Sequence, residues 1–268
     1  MPLEPSPLGP VICFARKNIS ARGKSKRYHR VFMPSVIPVM ASILSAVLLD
    51  PNAIGQAVRR DGKLSNFMGR AVTIAEPECD PDGFFPKGPA SVCLEAPPQR
   101  QCYTAPEHFG RIPSVTMVQL DKSTPAILFS AASGGVSGWG IHFALLRPGT
   151  GKDLENLFMS DTSVSNQSQH AFWREPAISD AQIFVTADFI WGPDESHYSE
   201  HRYMISAYVR KPLSLLDGSY FYLEDRYMTV RKYDLEGNAD VLSSERQEIL
   251  ARLRRLKVDA ESQLRRPR

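Results

Sequence analysis

Acidic residues are missing from the first part of the chain, where none lies between Glu4 and Asp50. The stretch from Val31 to Leu49 lacks charge of either sign, and seven lysines and arginines precede it between Arg16 and Arg30. Small residues follow, and Gly55-Gln56-Ala57 has the small-x-small form of a cleavage site. Residues 1–57 are therefore predicted to be an export leader.

This leader has three interpretations, because an uncharged run of this length is long for a signal core and short for a membrane span. It is a cleaved signal peptide, a retained anchor spanning the bilayer with residues 31–49, or a buried helix of a soluble protein. In the first two cases the basic cluster stays cytoplasmic and everything after Ala57 lies on the other side. We therefore expect an extracytoplasmic protein, periplasmic or secreted, of the kind that bacteria export.

Several catalytic and cofactor-binding patterns are also missing. No C-x-x-C pair is present, which argues against a structural zinc site. The glycine-rich stretch Ser133–Gly140 does not fit G-x-S-x-G, and no Gly-Lys-Ser/Thr follows it, which argues against a nucleophile elbow and a phosphate loop. We predict no cofactor and lean against an enzyme.

Charge is unevenly distributed along the chain. The net charge is +3 overall, but residues 1–57 carry +5 and residues 58–251 carry −7. An acidic body lacks the electrostatic footprint of a nucleic-acid-binding protein, so no nucleic-acid partner is expected. Residues 259–268 are predicted to be a basic, disordered tail.

Three cysteines follow the leader, at positions 79, 93 and 102. In an oxidising compartment two of them are expected to pair. The favoured pair is Cys93 with Cys102, because Pro97-Pro98 between them would turn the chain back; Cys79 with Cys93 is the second choice.

The remaining chain divides into two regions. Residues 58–110 hold many prolines and are predicted to be a linker or loop-rich segment. Residues 111–258 show alternating apolar runs separated by glycine turns, without helix-length amphipathic patterns between them. The predicted fold is mainly β: an antiparallel sandwich or barrel-like domain.

One helix is predicted at the end of this domain, over residues 243–258. Ser244 and Gln247 suit a capping box. An apolar stripe at helical spacing is expected to pack on the sheet; it consists of Leu242, Ile249, Leu253 and Leu256.

The segment His197-Tyr198-Ser199-Glu200-His201 resembles the H-x-x-E-H motif of the inverted zincins. The resemblance implies a zinc ion, or another divalent cation, held by His197 and His201, with Glu200 as the base of a hydrolase. That chemistry needs a helix, whereas the preceding Gly192-Pro193 predicts a polar loop that closes a hairpin. On a strand the two histidines would lie about 13 Å apart, too far to share one ion.

Tryptophans offer a third kind of site. Trp139 lies within the glycine-rich stretch, Trp173 follows a polar amide cluster, and Trp191 ends an apolar run. Aromatic rings beside amides or backbone donors suit a sugar ligand. The favoured hypothesis is a non-catalytic exported domain that binds an envelope component or a protein partner; a metal-dependent hydrolase and a carbohydrate-binding module are the alternatives. Contact with a membrane is expected only through an uncleaved leader.

Overall fold

The fold is known from a computed structural model. It describes residues 64–81, 85–96, 99–134, 139–165, 167–196, 199–212, 218–234 and 240–264. The predicted leader, residues 1–57, lies outside the described residues. Within the part of the chain that is described, no helix is long and apolar enough to cross a bilayer.

The chain is mainly antiparallel β with one C-terminal helix, as predicted. It forms three sheets, rather than the two of a simple sandwich or the single sheet of a barrel. Within each sheet the strands lie side by side in chain order. The sheets, called I, II and III along the chain, are stacked through two apolar layers.

Sheet I lies within residues 58–110, the region predicted to be a linker or a loop-rich segment. It contains β1 (Leu64–Phe67), β2 (Arg70–Ala75), β3 (Ser91–Ala96) and β4 (Gln99–Thr104). The prolines lie in the connections, mainly between β2 and β3, where a missing N–H breaks no ladder hydrogen bond. The strands are only four to six residues long, so the many prolines around them masked their alternation.

Sheet II contains β5 (Phe109–Gln119), β6 (Pro125–Ser133), β7 (Gly140–Pro148), β8 (Leu154–Asn156) and β9 (Val164–Ser165). β8 pairs with the end of β7 and β9 with its beginning. Together they occupy the fourth position of the sheet. The segment between them, residues 157–163, is therefore free to carry side chains toward neighbouring sheets.

Sheet III contains β10 (Gln169–Trp173), β11 (Ile183–Ile190), β12 (Arg202–Pro212) and β13 (Ser219–Met228). The sequence shows two short runs here, Ser219–Glu224 and Tyr227–Lys232, whereas the structure has one strand that ends at Met228. A register shift opposite Ala207 and Tyr208 on β12 accommodates one extra residue, which interrupts the alternation that the sequence shows.

Sheets I and II are joined by an apolar layer and by buried polar contacts. Leu94, Phe129 and Leu146 are fully buried in this layer. The buried Gln101 amide donates hydrogen bonds to the carbonyl oxygens of Gly149, at 2.8 Å, and Gly151, at 2.7 Å. These bonds satisfy an amide that would otherwise cost free energy to bury.

Sheets II and III are joined by an aromatic layer. Phe184 on β11 lies at its centre, and the rings of Phe143 and Phe158 from sheet II lie 5.8 and 4.9 Å from it. Backbone bonds continue the contact, because Phe221 N donates to Leu157 O at 2.8 Å. Complete burial of several aromatic rings makes this layer a major source of stability.

The outer face of sheet III is covered by helix α1, Val241–Leu264. The predicted stripe does pack on the sheet, although Leu256 is 36% exposed. The helix is longer than the predicted 243–258 and extends into the tail predicted to be disordered. Its cap is Asp240 rather than Ser244: Asp240 Oδ1 accepts from Ser243 N at 2.9 Å, which satisfies a free N–H of the first turn.

Candidate functional site

The hairpin between β11 and β12 contains the part of the H-x-x-E-H segment that the structure describes. Ile190 pairs with Arg202 across this hairpin, so the loop predicted between the two strands is present. His201 is fully buried at its foot, whereas Glu200 is exposed. His197 lies outside the described residues.

Both ring nitrogens of His201 are used inside the loop. Nδ1 lies 2.8 Å from Glu195 Oε2, and Nε2 lies 2.9 Å from the carbonyl oxygen of Ser196. The carboxylate and the carbonyl are both protein groups of the hairpin, so both ring nitrogens of His201 lie within hydrogen-bond distance of a protein partner.

Glu195 is held in its ionised form by several donors. Lys232 Nζ donates to Oε1 at 2.7 Å, and Gly192 N donates to Oε2 at 2.7 Å. Together with His201, and against the opposing effect of burial, these contacts lower the pKa of Glu195 to about 2. The carboxylate therefore ties the loop to β12 and to the segment after β13.

The described part of the hairpin gives His201 two protein partners. Among the described residues, no three His, Cys, Asp or Glu side chains lie close enough to hold a metal. The predicted ligand pair of His197 and His201, with Glu200 as base, stays a prediction because His197 is not described.

Replacing Glu195 with glutamine is expected to destabilise the fold at neutral pH and to matter less in acid. In the unfolded chain a glutamate has a pKa of about 4.3, whereas the pKa of Glu195 in the folded protein is about 2. The stabilisation is thus complete above about pH 4.3 and is lost as the pH falls toward 2. Denaturant unfolding should be measured for the wild type and Glu195→Gln between pH 7 and pH 2. The difference between their free energies of unfolding should shrink as the pH falls.

The control is Glu200→Gln, which removes an exposed carboxylate from the same hairpin. Its stability should differ little from that of the wild type at any of these pH values. A constant gap between the wild type and Glu195→Gln down to pH 2 would contradict the assignment.

A second polar group joins sheets I and II at the β9 end of β7. The Tyr103 hydroxyl on β4 lies 2.9 Å from His142 Nε2 on β7, and His142 Nδ1 lies 3.3 Å from Ser163 Oγ. Ser163 Oγ donates to Asp161 Oδ1 at 2.7 Å. Because the serine proton is used on Asp161, Nδ1 carries the imidazole proton and Nε2 accepts from the tyrosine. The four side chains form one directed hydrogen-bond chain.

This hydrogen-bond chain of four side chains contains no activated nucleophile at neutral pH. Burial lowers the pKa of His142, against the nearby Asp161 carboxylate. Burial also raises the pKa of Tyr103, and Asp161 adds to that shift. Tyr103 is therefore a neutral phenol and His142 a neutral imidazole. The arrangement is a hydrogen-bonded link between the two sheets and does not supply a reactive anion.

This hydrogen-bond chain ends at an exposed carboxylate, and its His142 lies near the described end of the glycine-rich loop. The Asp161 side chain is 74% exposed. The Phe109 ring lies 5.4 Å from the His142 ring, and a Cβ added to Gly140 would lie 3.4 Å from Phe109 Cε1. We call Tyr103, Phe109, His142, Asp161 and the residues flanking the loop the glycine-loop corner. Residues 135–138 of the loop lie outside the described residues.

The three tryptophans do not form one platform. Trp173 pairs with Ile183 at the start of β11, whereas Trp191 follows the end of this strand. Eight residues of strand span about 26 Å, so one sugar ring cannot contact both. Trp173 is half-buried with Arg246 over its ring at 5.3 Å, and Trp191 is 49% exposed. Trp139 is half-buried beside the glycine-loop corner.

Sequence reasoning missed the chain from Tyr103 to Asp161. Its members belong to β4, β7 and the segment between β8 and β9, so their proximity depends on how the sheets stack. One signal was available: His142 interrupts an otherwise apolar alternating run, and a buried histidine needs partners.

No family model, curated protein or solved structure matches this chain in comparisons with known proteins.

Proposed function

We propose that the chain is an exported, non-catalytic domain of bacterial type that binds an envelope component or a protein partner. The observation that carries this proposal is that two buried histidines make their hydrogen bonds inside the fold. The His201 imidazole closes a hairpin, and the His142 imidazole links two sheets. The Cys93–Cys102 disulfide supports an oxidising compartment, which agrees with export.

The ligand site of this domain is the glycine-loop corner. Asp161 offers an exposed carboxylate, which hydrogen bonds connect to His142 and Tyr103, and the Phe109 ring lies beside His142. Carboxylates and aromatic faces together suit a ligand with several hydroxyl groups. The specific ligand class favoured by this geometry is therefore a carbohydrate, with Trp139 as the tryptophan that contacts it.

A glycan array tests this assignment with the full chain. Asp161→Asn and Trp139→Ala are expected to lose binding, with Asp161→Asn about tenfold weaker or more because a charge-assisted hydrogen bond is removed. Asp180→Asn, which changes an exposed aspartate elsewhere, and Trp191→Ala should bind as the wild type does. Equal loss in Trp191→Ala, or binding unaffected by Asp161→Asn, would place the ligand elsewhere.

Metal analysis separates this proposal from the hydrolase alternative. The purified full chain is expected to contain no stoichiometric zinc, because His201 uses both nitrogens in hydrogen bonds. Stoichiometric zinc that disappears in His197→Ala would favour the hydrolase and overturn the non-catalytic assignment.

A further inference from the structure

One edge of sheet II is formed by β5, which pairs with β6 on one side and, among the described residues, with no strand on the other. Hydrogen bonds near its end show which backbone groups point outward. Leu120 N donates across the hairpin to β6 at 2.9 Å, whereas Gln119 O accepts from Gln182 Nε2, outside the hairpin, at 2.6 Å. Because this direction alternates along an antiparallel strand, the N–H and C=O groups of Val115 and Met117 point away from β6.

The unpaired part of this edge lies within residues 114–119. Before it, Phe109 O accepts from Ala90 N at 2.9 Å, so the start of β5 is covered by the segment that leads into β3. In the part of the chain that the structure describes, no hydrogen bond joins the outward groups of Val115 and Met117 to another segment. A row of such groups is a template on which another strand can pair.

This edge also has none of the features that keep strand edges apart. Residues 114–119 contain no charge and no proline, and their pairing with β6 has no register shift. The other long edge strand, β13, has a register shift and the charged residues Glu224, Asp225 and Arg226. β1 and β10 have only four and five residues, and β4 bonds to the carbonyl oxygen of Lys152. Among the described edges, β5 is therefore the one best suited to strand addition.

Both faces of β5 are apolar along this edge. Val115 and Met117 pack on the side of sheet I, and Val118 packs on the side of sheet III. A strand added here must therefore carry uncharged and mainly apolar side chains on both of its faces. β5 itself meets this requirement. Two β5 strands related by a two-fold axis at Thr116 would place no like charges opposite each other.

We propose that β5 pairs with β5 of a second copy of this chain, which joins sheet II of both copies into one continuous antiparallel sheet. With the two Thr116 residues opposite each other, Val115 of each copy lies opposite Met117 of the other. Each such pair exchanges both of its N–H···O=C bonds, so the outward groups of both residues are satisfied. The contact goes beyond the proposed function, because it does not involve the glycine-loop corner.

Disulfide cross-linking tests this pairing at a single position. The two Thr116 residues would form a non-hydrogen-bonded pair with Cα atoms about 4.5 Å apart, a separation that a disulfide spans. After mild oxidation, purified full-length Thr116→Cys is expected to yield a peptide that joins position 116 of two chains, identified by mass spectrometry. Association through residues 31–49 would not select this position, so the leader does not imitate the result.

The matched control is Ser114→Cys, an exposed position on the same face of the same strand. In the proposed pairing the two Ser114 residues lie about 13 Å apart along the strands, too far for a disulfide. The yield of the peptide that joins two copies of position 114 should be at least about tenfold lower than the yield at position 116.

Proline at position 117 tests the backbone hydrogen bonds. Met117→Pro removes an N–H that points away from β6, so the pairing of β5 with β6 is kept. On the Thr116→Cys background this change should lower the cross-linking yield about tenfold or more, because a hydrogen bond is lost at both symmetry-related positions. Met117→Ala keeps the N–H and should cross-link as Thr116→Cys alone does. Denaturant unfolding of both variants checks that the fold is retained.

Three results would overturn the proposal. The first is absence of the peptide that joins position 116 of two chains, which would leave an extended segment of another protein as the occupant to test. The second is an equal yield at position 114, which would indicate non-specific contact. The third is a folded Met117→Pro variant that cross-links as well as Met117→Ala. None of them depends on glycan binding at the glycine-loop corner, so the two proposals can fail separately.

Discussion

Replacing Phe184 with alanine is expected to destabilise the protein by about 3–5 kcal/mol, the largest effect of any single change considered. Phe184 is fully buried at the centre of the layer between sheets II and III. Its ring contacts Phe143 and Phe158 on one side and Phe172 and Tyr208 on the other, with centroid distances of 4.9 to 5.8 Å. Alanine would leave a cavity that rings held by two sheets cannot fill.

Thermal and denaturant unfolding measure this effect. For a domain of this size the melting temperature should fall by roughly 10 °C. The control is Leu223→Ala on β13 of the same sheet, where the side chain is 39% exposed and the loss should stay below about 1 kcal/mol. If the two variants unfold at similar denaturant concentrations, Phe184 does not link the sheets as described.

Removing the disulfide is expected to cost about 2–3 kcal/mol. The structure pairs Cys93 with Cys102, as the sequence predicts, and the two residues lie opposite each other on β3 and β4. The bond closes a short loop, with a sequence separation of 9, so the loss of chain entropy in the unfolded state is modest. The double variant Cys93→Ala/Cys102→Ala should unfold at a lower denaturant concentration.

The matched control lies two residues away on the same two strands. Ser91 pairs with Thr104 on the same face of sheet I, and Ser91→Ala/Thr104→Ala changes a cross-strand pair without a covalent link. Its stability should change by well under 1 kcal/mol. An unfolding midpoint of the cysteine variant that equals this control would show that the covalent link contributes no stability.

The long strands of sheets II and III could be predicted because they have eight or more residues with alternating sequences, whereas the short strands β8, β9 and β10 could not. β11 and β12 bury one face against helix α1 and part of the other against sheet II, yet they still show this period. Sheet I could not be predicted in the same way. Its alternating pairs, such as Val72 with Ile74 and Val92 with Leu94, are too short to outweigh the prolines around them.

The candidate site was less accessible to sequence reasoning than the fold. The hairpin loop followed from Gly192-Pro193, because these residues break regular structure locally. The corner around Tyr103, His142 and Asp161 depends on contacts between segments up to 58 positions apart in the sequence. No local pattern encodes such contacts, since they arise only when sheet I packs on sheet II.

Chain order within the sheets has a consequence for biogenesis. Nearly every strand pairs with the one that precedes it, so each ladder needs only a short loop to close. The hydrogen bonds between two neighbouring strands can form as soon as both strands have left the ribosome or a translocation channel. The apolar face of each sheet, however, stays exposed to solvent until the next sheet has been synthesised and can pack against it. For sheet I this exposure lasts until β7 has emerged. During that time Val92 and Leu94 of the folding intermediate are accessible to chaperones.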